Sequence, residues 1–270
     1  MSQKNYLVIG LGGTGCVVVR ELKKKMYVEW RKKNSGSYPD VYRFKDNFGG
    51  EEVESRVATL SIDSNAADLD GEGEKDKSWT VFGETLRLRD TEKVLLDPSG
   101  TAGLLSNIDS YPGVSPWIKP DLEFVHEITK GQSGPAGCDQ IRRMGRLAFA
   151  NGNGVDNVMS AVSNRMSALT EGGGFKDAEI HIACTLGCGT GSGTLLDIIT
   201  QIQKKMVSYA GLVKVHLHTF ATSSDVGSVN TGNFYANQYA ALQELNAFNL
   251  SNYHPWDVNV GSGQSGQRLS

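Results

Sequence analysis

The sequence predicts an α/β domain with a doubly wound, mostly parallel sheet and helices on both faces. Short apolar runs typical of buried strands alternate with segments of helical periodicity along most of the 270 residues. Several strands are followed by a glycine-rich loop that leads into a helix, which is the usual position of a binding loop in such sheets. A chain of this length also buries enough apolar surface for a large core.

The predicted elements follow one another in chain order. We predict strands at 6–10, 56–63, 180–186 and 213–220, a further strand at 122–128, and helices at 13–31, from about 140, 154–169, 194–203 and 234–250. Residues 34–55 are polar and turn-rich and are predicted to be a loop or insertion, and 84–130 form a second insertion with mixed signals. We therefore predict one domain over 1–250 and a flexible tail or linker over 251–270, with no second domain.

The last glycine loop (residues 187–193) is the most informative motif. It lies between an apolar strand and a helix, where glycines let backbone N–H groups converge and the helix dipole adds positive charge. This arrangement predicts a phosphate site, although a glycine-rich turn without a ligand is the alternative. The absence of a lysine excludes the loop of P-loop NTPases. The predicted contacts are Gly187, Cys188, Gly189, Thr190, Gly191, Ser192 and Gly193, with hydroxyl donors from the threonine and the serine.

The first glycine loop (residues 10–16) also follows a strand and precedes a helix. Its G-x-G-x-x-G pattern is the fingerprint of a Rossmann dinucleotide site, so an oxidoreductase that binds NAD or FAD is one alternative. The acidic residue that should follow about 20 positions later is displaced to Asp63 by the insertion, so the match is imperfect. Two phosphate loops on one ligand favour a nucleoside triphosphate instead.

Taken together, these loops resemble those of the tubulin/FtsZ superfamily, whose signature GGGTGSG differs from the last glycine loop only at Cys188. The resemblance extends over about residues 5–250 and implies a domain that binds GTP or GDP with Mg²⁺. It implies phosphate contacts from Gly10, Leu11, Gly12, Gly13, Thr14, Gly15 and Cys16 of the first glycine loop. It places Asp63 and Asn65 near the nucleotide, with Asp63 at the Mg²⁺ shell, and Gly134, Ala136 and Gly137 of the middle glycine loop (residues 131–137) over the γ-phosphate. It assigns Arg146 to the ribose and base and Asn237 to guanine recognition.

Two departures from the family pattern concern the base. Val17 stands where the family has an asparagine that contacts guanine, and Arg142-Arg143-Met144 occupies the region of a family glutamate. The sequence therefore specifies phosphate binding more firmly than guanine over adenine. The two arginines either neutralise phosphate charge or form a solvated helix face.

The resemblance also implies self-assembly into oligomers or filaments. In the family, acidic residues on a later loop enter the nucleotide site of the neighbouring subunit, and these 270 residues contain no such segment. We therefore assign no catalytic residue and expect nucleotide binding with little hydrolysis by this chain alone. A non-hydrolysing, nucleotide-gated scaffold is a further alternative.

Composition restricts the remaining functions. A net charge of −3 disfavours nucleic acid as a partner, and no apolar stretch is long enough to span a membrane, so we predict a cytoplasmic protein. Four cysteines without zinc spacing predict free thiols. His216 and His218 alternate on a predicted strand and face the same side, which favours an exposed or hydrogen-bonded pair over a metal site.

Overall fold

The computed structural model describes residues 2–48, 50–70, 79–130, 137–171, 178–206, 213–221, 233–260 and 264–269. The strands are β1 Ser2–Leu11, β2 Tyr42–Phe48, β3 Glu51–Asp63, β4 Thr80–Val81, β5 Glu84–Thr85, β6 Lys93–Leu95, β7 Ala178–Thr185 and β8 Val213–Phe220. The α-helices are α1 Gly12–Arg31, α2 Ala66–Asp70, α3 Thr101–Ser106, α4 Ser115–Ile118, α5 Leu122–Thr129, α6 Arg142–Ala150, α7 Gly154–Thr170, α8 Thr190–Met206 and α9 Phe234–Asn249.

A mostly parallel sheet organises the domain, as the sequence predicts. Its strand order is β2-β3-β1-β7-β8, and the short β6 pairs with the end of β3. The β3–β1, β1–β7, β7–β8 and β3–β6 pairs are parallel, whereas β2 is antiparallel to β3. β4 and β5 form a separate small hairpin.

Both faces of the sheet are covered because successive residues of β1 point to opposite sides. Leu7 and Ile9 join the main core, which also contains apolar residues of α6, α7 and α8. Val8, between them, packs on a second cluster that contains Val19 and Tyr27 of α1. α1 therefore covers one face and α7 and α8 cover the other, which confirms the predicted doubly wound arrangement.

The connections after β1 and β7 define the position of the site. These strands are parallel neighbours, and the helices that follow them, α1 and α8, lie on opposite faces of the sheet. Between two such strands the loops diverge and leave a crevice at the carboxyl ends of the strands, where ligands bind in doubly wound folds. The first and the last glycine loops occupy this crevice.

Two predicted segments are wrong. Residues 34–55, predicted as a loop or insertion, contain β2 and the start of β3, because Tyr42 and Phe44 alternate with exposed polar residues and pair across to β3. Residues 122–128, predicted as a strand, form α5. The two buried residues of α5, Val125 and Thr129, lie four positions apart on one helix face.

The C-terminal segment, predicted as a flexible tail, packs on α8 over residues 256–260. Asp257 is fully buried and accepts hydrogen bonds from Gln201 Nε2 and Lys204 Nζ, each at 2.6 Å. The backbone N–H of Asn259 donates to the same carboxylate at 3.0 Å. The carboxylate of Asp257 thus holds residues 256–260 against α8, although the glycine- and serine-rich sequence around them predicts flexibility. Among the described residues, no helix has the length and apolar content needed to cross a bilayer.

Candidate functional site

The first and last glycine loops pack backbone to backbone at the end of β1 and β7. A Cβ atom on Gly191 would lie 2.6 Å from the carbonyl oxygen of Leu11, and one on Gly12 would lie 3.0 Å from the amide nitrogen of Gly191. Gly12 also has φ +69°, a conformation that favours glycine. Side chains at these positions would separate the loops, so the glycines are required by the close approach itself.

Within the first glycine loop, some of the predicted contact residues are buried and others, which we call the rim, are accessible to solvent. Gly10 and Gly15 are buried against each other, since a Cβ on Gly10 would lie 2.3 Å from the Gly15 carbonyl oxygen. Leu11 and Cys16 are fully buried core residues. Gly13 is half-buried and Thr14 is exposed. The rim therefore presents the residues that a ligand can reach.

The N-terminus of α1 has the properties of an anion site. No side chain caps it, and its first turn contains no acidic residue. The first N–H groups of a helix have no partner within the helix, and the dipole favours negative charge there. This end of α1 can therefore bind a phosphate without competition from a carboxylate in the same turn.

The thiol of Cys188 occupies the N-terminus of α8, which corresponds to the N-terminus of α1 in the first glycine loop. Its sulfur accepts the backbone N–H groups of Gly191 at 3.1 Å and Ser192 at 3.4 Å. Burial raises the pKa of Cys188 to about 11, so the side chain is a neutral thiol near neutral pH. The thiol thus engages two of the amides that the sequence assigns to phosphate.

Asp63 lies at the end of β3 beside these loops. Its Oδ1 accepts the backbone N–H groups of Ser64 at 2.7 Å and Asn65 at 3.4 Å. Its Oδ2 is buried without a hydrogen-bond partner and would lie 3.9 Å from a Cβ on Gly13. Burial raises the pKa of Asp63 to about 6, and the N–H bond from Ser64 only partly opposes this shift.

The unpartnered Oδ2 fits a hydrated Mg²⁺. Magnesium takes oxygen ligands, usually one or two carboxylates with waters and phosphate oxygens, and a cation would satisfy this buried oxygen. Asp68 is a second carboxylate near the same position, because its Oδ2 would lie 2.9 Å from a Cβ on Gly13. The donor set at the first glycine loop therefore suits the predicted metal.

Ser64 lies between these loops, although no sequence motif singles it out. Its hydroxyl shares a hydrogen bond of 2.6 Å with the hydroxyl of Thr190, and the Cys138 thiol donates to it at 3.1 Å. These contacts join the end of β3 to the last glycine loop. In the sequence, only its position immediately after Asp63 at the end of a predicted strand indicates that Ser64 lies near the loops.

The middle glycine loop is described only at its end. Gly134 and Ala136 lie outside the described residues. Gly137 has φ +106° and packs on Asn65, whose Cβ would lie 3.6 Å from a Cβ placed there. The side chain of Asn65 accepts the backbone N–H of Ala67 at 3.0 Å and thus caps α2. Gly137 and Asn65 are accordingly neighbours.

Arg146 is held in a buried ion pair. Its Nε and one terminal nitrogen donate to the two oxygens of Asp197 at 2.7 and 2.8 Å, and its guanidinium lies 4.3 Å from the ring centroid of Trp117. A bidentate pair of this kind fixes α6 against α8. The structure therefore gives Arg146 a structural role, in addition to any contact with a ligand.

The neighbouring arginines also have partners. Arg142 donates to the Ser192 hydroxyl at 2.8 Å and pairs with Glu244 of α9, and Arg143 pairs with Asp121. Of the two alternatives for these arginines, the solvated helix face does not describe Arg142, which joins the last glycine loop to α9.

Asn237 connects α9 to the last glycine loop. Its Nδ2 donates to the carbonyl oxygens of Gln140 at 2.5 Å and Gly187 at 3.1 Å. It also lines a cavity of about 580 Å³ beside this loop, within the size range of small-molecule sites. The polar residues that line the cavity include Arg142, Arg146, Ser192, Asn237 and Glu244, and its apolar and aromatic residues include Trp117, Phe124, Ile141, Leu196 and Tyr253.

The solved structures that are similar to this chain include three CetZ proteins. They are CetZ from Methanosaeta thermophila strain DSM 6194 (11% identity, TM-score 0.48, covering 89% of this chain and 42% of that one), and CetZ1 from Haloferax volcanii as a GDP-bound monomer (16%, 0.44, 90% and 47%). The third is CetZ2 from Haloferax volcanii as a GTPγS-bound protofilament (16%, 0.43, 90% and 45%). The chain thus spans less than half the length of each. No curated protein matches the sequence.

A family model provides the assignment. The model described as tubulin like matches residues 7–266, nearly the whole chain, and so includes the glycine loops and the C-terminal segment that packs on α8. The parallel sheet, the paired glycine loops and this match agree, and the chain belongs to the tubulin-like family of the tubulin/FtsZ superfamily.

Proposed function

We propose that this chain binds a guanine nucleotide, GTP or GDP, with Mg²⁺ in the crevice between the first and last glycine loops, and that it self-assembles. The observation that supports this most strongly is the contact of the two loops at the carboxyl ends of β1 and β7, with the uncapped N-terminus of α1 beside them. Two loops at one crevice suit a chain of phosphates, because each supplies backbone donors to a different part of it.

The phosphates would lie against the rim of the first glycine loop. Gly13 and Thr14 offer backbone N–H groups, and the start of α1 supplies positive dipole charge. Bound Mg²⁺ would neutralise phosphate charge, held by the unpartnered oxygen of Asp63 directly or through a water. Rotation of the Cys188 thiol away from α8 would release two further amides for phosphate.

The base would lie toward the cavity that Asn237 lines. The side-chain amide of Asn237 is fixed by two backbone carbonyls, so its position is defined before a ligand arrives. Membership of the tubulin-like family supports guanine over other bases. It also supports self-assembly of copies of this chain, with any hydrolysis completed at a subunit interface. The four free cysteines suit the reducing conditions of the cytoplasm.

The oxidoreductase alternative rests on the first glycine loop alone. A Rossmann site holds its pyrophosphate on one such loop and its ribose on an acidic side chain at the end of the second strand. Here the Oδ1 atom of Asp63 accepts two backbone N–H groups, and the side chain lies beside Gly13, where the carboxylate oxygens suit Mg²⁺. This geometry favours a cation over a ribose hydroxyl.

Calorimetric titration tests the proposal. With Mg²⁺ present, we expect one molecule of GTP or GDP per chain and much weaker binding of NAD. Submicromolar NAD affinity together with negligible binding of GTP would contradict it. Sedimentation of the GTP-loaded protein over a range of concentrations tests self-assembly, and a monomer at every concentration would refute that part.

A further inference from the structure

A cluster of histidines lies on β7 and β8, away from the glycine loops. His181 and Glu179 project from β7, and His216 and His218 project from β8 on the same face of the sheet, with His181 and His216 directly opposite each other. Three of the five histidines of the chain therefore meet at one place. Because His181 precedes the end of β7 by four residues, the cluster is about 13 Å along the strand from the C-terminal end of β7, and the last glycine loop lies beyond that end.

The side-chain atoms have the separations of metal ligands. The Oε2 atom of Glu179 lies 3.2 Å from His216 Nε2 and 3.8 Å from His181 Nε2. One ligand atom from each of these three residues lies within 4.8 Å of the others. Ligands on a tetrahedral zinc at about 2.0–2.1 Å are about 3.4 Å apart, so the three atoms need to move only slightly.

Two hydrogen-bonding features favour a metal over a set of ion pairs. The Nε2 atom of His216 is buried and makes no hydrogen bond, although Glu179 Oε2 lies 3.2 Å away. His181 Nδ1 lies 3.0 Å from His218 Nε2, and when His181 is the donor of this hydrogen bond its Nε2 carries the lone pair that a metal requires. Ligating histidines usually use their second ring nitrogen in this way.

We propose that Glu179, His181 and His216 form a binding site for Zn²⁺, with His218 as the outer partner that orients His181. Two imidazoles and one carboxylate, completed by water, are a usual zinc ligand set. The half-buried position of all three residues gives the ion access from solvent. The metal would join β8, the outermost strand of the described sheet on this side, to β7 by side chains in addition to the backbone ladder. The site is independent of the nucleotide proposal.

The test is a zinc titration of the untagged protein, stripped of metal with EDTA, in competition with a chromophoric chelator. We expect one Zn²⁺ per chain. Affinity should fall by more than about 100-fold in His181→Ala and His216→Ala, and by about 10–100-fold in His218→Ala, as for other outer partners. The matched control His126→Ala changes a histidine on α5, outside the cluster, and should leave zinc affinity unchanged. No stoichiometric zinc in the wild-type protein, or full affinity in both ligand variants, would overturn the proposal.

X-ray absorption of the zinc-loaded wild-type protein keeps the test decisive if a variant fails to fold. Two imidazoles and oxygen ligands are expected. Sulfur in the first coordination shell would overturn the proposal, because it would place the metal on the cysteines. Mg²⁺ should not displace the zinc, since it prefers oxygen to imidazole ligands.

Discussion

Replacing Asp63 with asparagine should remove a pH-dependent loss of stability from the metal-free protein and should weaken nucleotide binding. The native pKa of Asp63 is raised from 3.8 to about 6 by burial. The native state therefore keeps a proton that the unfolded state has lost over this range. The contribution of Asp63 to stability is full below about pH 3.8 and is lost as the pH rises through about 6. The loss approaches about 3 kcal/mol at neutral pH, taken as 1.36 kcal/mol per unit of pKa.

Asp63→Asn removes this dependence on pH. The amide leaves a buried N–H group near the position of Oδ2, which costs about 1–3 kcal/mol at every pH. The measurement therefore compares the free energy of unfolding of the variant minus that of the wild type at several pH values. This difference should fall by about 1.4 kcal/mol from pH 7.5 to pH 5, because the wild-type carboxylate takes up its proton.

Urea denaturation in EDTA, followed by circular dichroism at each pH, measures this difference. A difference that stays constant with pH would refute the account of a buried, unpartnered carboxylate. In the presence of Mg²⁺ and GTP the wild type should gain more stability than the variant, because the ligand stabilises the wild type by its binding free energy and the variant has lost the metal contact. Equal stabilisation of both proteins would show that Asp63 does not contribute to binding of Mg²⁺ and GTP.

Three further changes test the loops and their supports. Gly191→Ala places a methyl group against a backbone carbonyl and should lower GTP affinity more than tenfold in calorimetry, whereas Gly103→Ala, which meets no atom within 4 Å, should not. Cys188→Gly frees two N–H groups of α8 and should raise GTP affinity several-fold; unchanged affinity would mean that those amides do not bind phosphate. Arg146→Ala leaves a buried carboxylate unpaired and should lower the free energy of unfolding by about 3–5 kcal/mol, against less than about 1 kcal/mol for the more exposed Arg143→Ala. A similar loss in both variants would contradict the structural role of Arg146.

The arrangement of the sheet was predictable because it follows from local patterns. Apolar strands, helical periodicity and glycine loops at the strand ends specify the doubly wound sheet and the crevice between β1 and β7. The strand β2 was not predictable in the same way, since its pairing with β3 depends on a partner that composition does not reveal. The burial of Asp257 likewise depends on Gln201 and Lys204, more than 50 residues away.

Within the candidate site, the sequence indicates which residues belong to the loops, but it does not reveal which side chains they contact. The glycines of the first and last loops lie where close backbone approach tolerates no side chain, and their role as phosphate contacts stays a prediction. The ion pair of Arg146 with Asp197 and the thiol of Cys188 on the amides of α8 depend on side-chain packing between elements. The same holds for the histidine cluster. The sequence shows that His216 and His218 share a face, but only the pairing of β7 with β8 brings Glu179 and His181 to them.

The identity of the bound nucleotide tests the central claim most directly. The protein is incubated with Mg²⁺ and an equimolar mixture of GTP, ATP, NAD and FAD, separated from free ligand, denatured, and its released ligand identified by chromatography and mass spectrometry. The account predicts about one guanine nucleotide per chain for the wild type and a strongly reduced amount for Gly191→Ala. Recovery of NAD or FAD, or of no nucleotide from the folded wild-type protein, would contradict it.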